Sequence, residues 1–208
     1  MARHTPVGKR RRQIAEAAGE LFAERGVQAT TVRDIGARVG VLSGSLYHHF
    51  RTKQEIVHEL MHAYGEDLLA RYLAAEQEGG NSRARLERLF RACVRANLAH
   101  PNETAVLIHE QDRLFRSEEF DYIHEIVAAV EVIFVAVIEE GARSGELRDD
   151  LDPAFLYRMM MDVMGAVQRW YDPEQHSEDA VVGAWLDVFL RGIAAEPPEA
   201  TGWEAPNA

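Results

Sequence analysis

Residues 30–53 read TTVRDIGARVGVLSGSLYHHFRTK, with a helix-start signal, a glycine turn and a second short apolar pattern in succession. Thr31, followed three residues later by Asp34, places a hydroxyl and a carboxylate at a helix start, a variant of the capping box. Val32, Ile35, Gly36 and Val39 mark one face of a short helix. Gly40 ends it, since a positive φ carries no Cβ penalty there. A second short helix is predicted over residues 42–49. Two short helices joined by a Gly-containing turn describe a helix-turn-helix, whose second helix enters the DNA major groove. Leu46 and Phe50, four apart, point inward. The outward side chains Ser43, Ser45, Tyr47 and His48 are small or flat. An ordinary helical hairpin in a core has the same spacing. Two features favour DNA: Gly44 and the two serines are poor helix formers that let the backbone approach a surface closely, and the upstream run Lys9, Arg10, Arg11, Arg12 supplies phosphate-binding charge.

Total charge argues the other way until its distribution is considered. The 208 residues carry a net charge of -11. Residues 1–53 hold ten Lys/Arg against four Asp/Glu, a net of +6, whereas residues 54–208 hold thirteen against thirty, a net of -17. A basic head on an acidic body binds DNA with the body turned away, and the body repels phosphate in any other orientation. The single Cys93 excludes an intrachain disulfide and, lying among apolar neighbours at helical spacing, reads as core filler. The N-terminus has basic residues but no apolar run of signal-peptide type. No stretch of 18 apolar residues is present, so a cytoplasmic protein without a membrane span is expected.

Outside residues 30–53 the apolar residues, 47% of the chain, recur at helical spacing and rarely alternate, so the whole chain reads as all-α with about nine helices. Helix 1 is expected over 9–25, with Ile14, Leu21 and Phe22 on its stripe and Gly26 as its stop. Three helices alone make a small domain, which needs support from the next. That helix, 52–76, opens on a capping box, Thr52 to Glu55. Lys53 lies in its first turn, where an ammonium beside a helix N-terminus makes a phosphate site. Further helices are expected at 82–99, 103–114 (after a break at Pro101), 119–142, 152–171 (Asp152 as cap and Pro153 in the first turn) and 177–193 behind Ser177. The domain reading is 1–53 for the helix-turn-helix, 54–195 for a helical ligand-binding and dimerisation domain, and 196–208 for a Pro-containing disordered tail. Helices 8 and 9 carry more apolar surface than one small body hides, which a symmetric four-helix interface between two copies would bury. Two recognition helices roughly 35 Å apart would then read a palindrome.

The pattern of residues 14–53 resembles the DNA-binding domain of the TetR family of transcriptional repressors. It covers Ile14-Ala15, Leu21-Phe22, Arg25-Gly26, Thr30 to Ile35, Gly40-Val41, Gly44, Leu46 to Phe50 and Lys53. One departure is Leu42, where the family often carries a capping Ser or Thr; Ser43 is expected to take that role. The resemblance implies that Thr31, Tyr47, His48 and Lys53 touch DNA. From the residues themselves, Ser43, Ser45 and His48 are candidates for base edges and thymine methyls, Gly44 for close approach, and Arg33, Arg38 and the basic arm Lys9 to Arg12 for phosphates. The words Leu42 to Phe50 and Trp170-Tyr171 also resemble the actinobacterial repressors of late steroid-ring degradation, which implies an acyl-CoA thioester as effector.

The expected function is therefore a homodimeric, ligand-responsive repressor, joined through helices 8 and 9, on a double-stranded operator. Effector binding would favour a form with the wrong spacing between recognition helices. Candidate effector residues are His109, Arg113, Phe134, Tyr157, Asp162, Arg169 and Trp170, since pockets between bundle helices combine apolar walls with a few polar groups. For the phosphates of a coenzyme A ester, Arg113, Arg116, Arg158 and Arg169 would have to cluster. The alternatives are a helical adaptor without DNA binding and a small hydrolase built on His109, Glu110, Asp112, His124 and Glu125. No metalloprotease, phosphate-loop or nucleophile-elbow motif is present, so no catalytic residue, metal or cofactor is expected.

Overall fold

The computed structural model describes residues 6–172 and 174–193. The tail expected at 196–208 lies outside the described residues, as do Arg3 and Pro173 and the side chains of Ser43, Asp112 and Gln168. The described chain is all-α: α1 Pro6–Arg25, α2 Val32–Arg38, α3 Ser43–Leu46, α4 Lys53–Gln77, α5 Ser82–Ala99, α6 Pro101–His109, α7 Gln111–Leu114, α8 Asp121–Ser144, α9 Pro153–Ala166 and α10 Glu178–Ile193. Helices 8 and 9 of the sequence reading are α9 and α10. Among the described residues no helix is long and apolar enough to cross a membrane.

Several ends differ from their expected places for local reasons. The break expected at Pro101 falls at His100, and Pro101 itself opens α6 in its first turn, where a missing N–H costs nothing. The helix expected over 103–114 breaks at Glu110 (φ -106°, ψ 9°) into α6 and α7. The helix expected to reach 171 stops at Ala166 and tightens into a 3-10 turn, Val167–Arg169. The second helix of the helix-turn-helix is only four residues long. It starts at Ser43, so the uncapped Leu42 precedes it and contributes its carbonyl, which accepts from Ser45 at 2.9 Å. Turn hydrogen bonds then carry the chain on to Phe50, whose amide donates to the Leu46 carbonyl at 3.0 Å.

The chain packs into two compact units, Met1–Leu69 with Asn97–Ala128, and Ala70–Ala96 with Ala129–Ala208. In the first unit Ile14, Leu21, Phe22, Ile35, Leu46 and Phe50 join Ile56, Leu60 and Tyr64 of α4 and Val106, Leu114, Phe120 and Ile123 in one buried cluster. The helix-turn-helix is too small to close its own core; α4, α6, α7 and the start of α8 close it. Two helices pass unusually close here: a Cβ on Gly19 would stand 3.3 Å from both Leu60 methyls. The buried Tyr64 hydroxyl meets Thr104 Oγ1 at 3.1 Å.

The second unit centres on aromatic contacts. The Phe134 ring lies 5.4 Å from Tyr72 and 5.7 Å from Tyr157, and Phe90 lies 5.8 Å from Phe189. Arginines of α5 grip the first turn of α10: Arg91 meets Asp179 at 2.9 Å and Arg95 meets Glu178 at 2.5 Å.

Candidate nucleic-acid interface and effector residues

The reading segment is built by local chemistry. Thr31 caps α2: its hydroxyl accepts from the Asp34 amide at 3.2 Å and donates to Asp34 Oδ2 at 2.6 Å, while the Thr31 amide donates to the same oxygen at 2.9 Å. The reciprocal box expected from the spacing is complete. Gly40 turns with φ +70°, and the next amide, Val41, donates to the Gly36 carbonyl at 2.9 Å. These are the closing bonds of a glycine-terminated helix. Beyond the turn, Ser45, Tyr47 and His48 are exposed, and nothing lies within 4 Å of a Cβ placed on Gly44. Leu42, read from the sequence only as a failed cap, is the most exposed large apolar residue described, at 84%.

The basic residues divide in a way their sequence does not announce. Lys9, Arg12 and Arg33 are exposed. Arg10 turns to the Val39 carbonyl at 3.0 Å and to Gln13 at 3.1 Å. Arg11 turns inward: its guanidinium pairs with Glu59, donates to the His49 carbonyl, meets Glu55 at 3.1 Å and lies 4.0 Å over the Phe50 ring. Arg38 is held by Glu20 at 2.6 Å and Glu24 at 3.3 Å. Lys53, expected as a phosphate anchor, gives its ammonium to the carbonyls of Val27, Gln28 (3.3 Å) and Thr30 (2.7 Å). Three donors meet three acceptors, so in this conformation Lys53 fastens the loop before α2. Thr30, buried, completes that loop through its hydroxyl, bonded to the Gly26 carbonyl at 2.9 Å.

Two carboxyls at the interface are held below their usual range. The Thr31 hydroxyl and then the Thr31 amide lower Asp34. Glu55 is lowered first by the Arg51 amide, which donates at 2.7 Å, with burial opposing and Arg11 adding. A depressed carboxyl stabilises the fold above its unfolded value and loses that contribution as pH falls through its folded value. The difference in Tm between the wild-type chain and Glu55→Gln, open at pH 7, is therefore expected to close between about pH 5 and pH 3. Thermal unfolding across that range reads it, and a difference that persists unchanged at pH 3 would contradict the assignment.

The effector candidates fall in both units. His109 is exposed on α6. Arg113 donates through Nε to Glu110 Oε2 at 2.8 Å, and its Nη2 is buried without an acceptor. In the second unit Phe134 and Tyr157 come together, but as packed core: Phe134 has no accessible surface, and burial pushes the Tyr157 phenol up. Asp162, Arg158 and Arg169 are exposed, and Trp170 is 49% exposed. On α9 and α10, Phe155, Met159 and Val188 are exposed at 58%, 43% and 74%. The carboxylate read as a possible catalytic group, Glu110, is occupied structurally: Oε1 accepts from the Val27 amide at 3.0 Å. Among the described residues no group of three His, Cys, Asp or Glu side chains is placed to hold a metal.

Residues 14–60 match the family described as bacterial regulatory proteins, tetR family, and residues 79–193 match the tetracyclin repressor-like C-terminal domain. The chain is 38% identical over 191 residues to the HTH-type transcriptional repressor KstR2 of Mycobacterium tuberculosis, covering 91% of this chain and 96% of that protein. It is 36% identical over 187 residues to KstR2 of Rhodococcus jostii, covering 89% and 92%. The solved structure of the ketosteroid transcriptional regulator KstR2 of Mycobacterium tuberculosis matches with a TM-score of 0.85 at 37% identity, covering 90% and 96%. With both segments matched and relatives aligned over nearly their full length, the chain belongs to the TetR family of bacterial regulatory proteins.

Proposed function

We propose that the chain is a repressor that binds a palindromic operator as a homodimer and is released by an acyl-CoA thioester derived from a steroid ring. The observation that carries this reading is the 38% identity to a KstR2 repressor, which runs through the helix-turn-helix and the C-terminal half alike. The solved relative is a ketosteroid transcriptional regulator, which supports the steroid class. Exposed Arg158, Arg169 and Trp170 supply cationic and aromatic groups for an ester carrying phosphates and an apolar acyl part. In the reading segment, Ser45 and His48 are donors for base edges, and Leu42 and Gly44 allow close apolar contact with thymine methyls. Lys9, Arg12 and Arg33 face phosphate.

Selection of intergenic fragments from the source genome, with and without a panel of acyl-CoA thioesters, tests the reading. A palindrome released by a ring-derived thioester is the expected result. A palindrome indifferent to every thioester would remove the effector class and leave the repressor. Dimerisation is tested on the exposed faces of α9 and α10. Val188→Arg is expected to give a monomer in sedimentation and to weaken operator binding by roughly 10²-fold or more, since the second half-site is no longer engaged intramolecularly. A Val188→Arg chain that remains dimeric would place the interface elsewhere.

A further inference from the structure

The loop between α1 and α2, residues 26–30, leads into the cap of α2. Its Val27 and Thr30 are buried, and two charged side chains from distant parts of the chain hold its backbone. Lys53 collects its carbonyls from one direction. Glu110 takes its Val27 amide, at 3.0 Å and across 83 residues of sequence. The Val27 side chain itself is fully buried. Glu110 is the residue at which one expected helix divides into α6 and α7, and its side chain is only 12% exposed. Its second oxygen is held by Arg113 at 2.8 Å, so the carboxylate is fixed at both ends rather than swinging in solvent.

We infer that Glu110 is a positioning residue for DNA reading: its carboxylate, supplied from the α6–α7 break, fixes the Val27 amide and thereby the entry into the helix-turn-helix. This rests on the operator-binding reading above. The physical reason is preorganisation. A segment already ordered in the free protein does not have to be ordered on binding, and a hydrogen bond from an amide to a buried carboxylate is among the stronger ones a loop can make. Without it the Val27 amide is a buried donor with no partner, and the loop relaxes to satisfy it. The cap at Thr31, four residues on, moves with it. The α6–α7 break is consequently tied to the reading head by a polar bond in addition to the apolar core they share.

Glu110→Ala and Glu110→Gln in the full chain test this. The glutamine keeps an oxygen acceptor for Val27 but carries no charge. Two quantities are read in each protein: operator affinity, and the exchange rate of the Val27 amide hydrogen in the absence of DNA. Glu110→Ala is expected to bind operator about 10-fold more weakly or worse and to speed Val27 exchange by a similar factor, from the loss of one charge-assisted hydrogen bond. Glu110→Gln is expected to recover most of both. Operator binding by Glu110→Ala equal to wild type would overturn the inference. So would a glutamine variant as impaired as the alanine one, which would mark Glu110 as a fold-stabilising charge only. Failure of the wild-type chain to bind any operator would count against the repressor reading alone, and the exchange rates would still decide whether Glu110 holds Val27.

Discussion

Phe50→Ala is expected to lower the melting temperature of the DNA-reading half of the chain steeply. Phe50 is 1% exposed and belongs to the buried cluster of the first unit. Removing a buried phenyl ring typically costs about 3–5 kcal/mol, the transfer of the ring plus the cavity it leaves. A domain has about 5–15 kcal/mol in total, so the loss takes a large share of it. The cavity would open in the cluster that also holds Leu46 of α3 and Ile14 of α1, and the Arg11 guanidinium, 4.0 Å over the ring, would lose its cation–π partner, worth about another 0.5–1 kcal/mol. Circular dichroism should show a lowered first transition, and operator binding should vanish with it. A variant that melts like the wild type would mean that Phe50 does not close this core.

The second large effect is expected at Arg11, and it separates a structural role from a DNA-contacting one. Its guanidinium joins Glu55 and Glu59 of α4 to the His49 carbonyl at the end of the reading segment. The ion pairs are partly solvated, which limits each to about 1 kcal/mol or less. The carbonyl bond, the ring contact and the packed side-chain stem add to them, for about 2–3 kcal/mol lost in Arg11→Ala. Salt dependence distinguishes the roles. A residue that neutralises a phosphate contributes about 0.9 to the slope of log K against log salt. Arg11→Ala is expected to lower stability and leave that slope unchanged. Lys9→Ala, at an exposed position of the same helix, is expected to leave stability unchanged and reduce the slope by about one per protomer. The reverse pattern would return Arg11 to the DNA surface.

These expectations mark where sequence reading succeeds. Thr31, Asp34, Gly40 and Gly26 act over three or four residues, through a side chain reaching a nearby amide or a backbone angle that glycine adopts freely. Such chemistry is written in the spacing, and the structure carries it: the capping box is complete and both glycines have positive φ. The inward pair Leu46 and Phe50 was legible for the same reason, because helical period alone sorts faces. Even Leu42 left a trace, as a residue that cannot cap where a cap is wanted.

Arg11 and Lys53 left none. A basic residue looks the same in sequence whether it faces phosphate or its own fold, and both are placed by partners 20 to 50 residues away, as the Arg11–Glu59 and Lys53–Val27 contacts are. Glu110 is the extreme case: beside His109 it reads as a functional carboxylate, and only folding brings it to Val27. The all-α class, the position of the helix-turn-helix and the basic head on an acidic body were legible in the residues alone, because these follow from local propensity, periodicity and charge. The fold in three dimensions added that residues 97–128 complete the first unit, and that Arg11, Arg38 and Lys53 are bonded to the chain's own carboxylates and carbonyls. Those outcomes depend on long-range partners that satisfy buried polar groups and fill a shared core, and such pairings have no period along the chain.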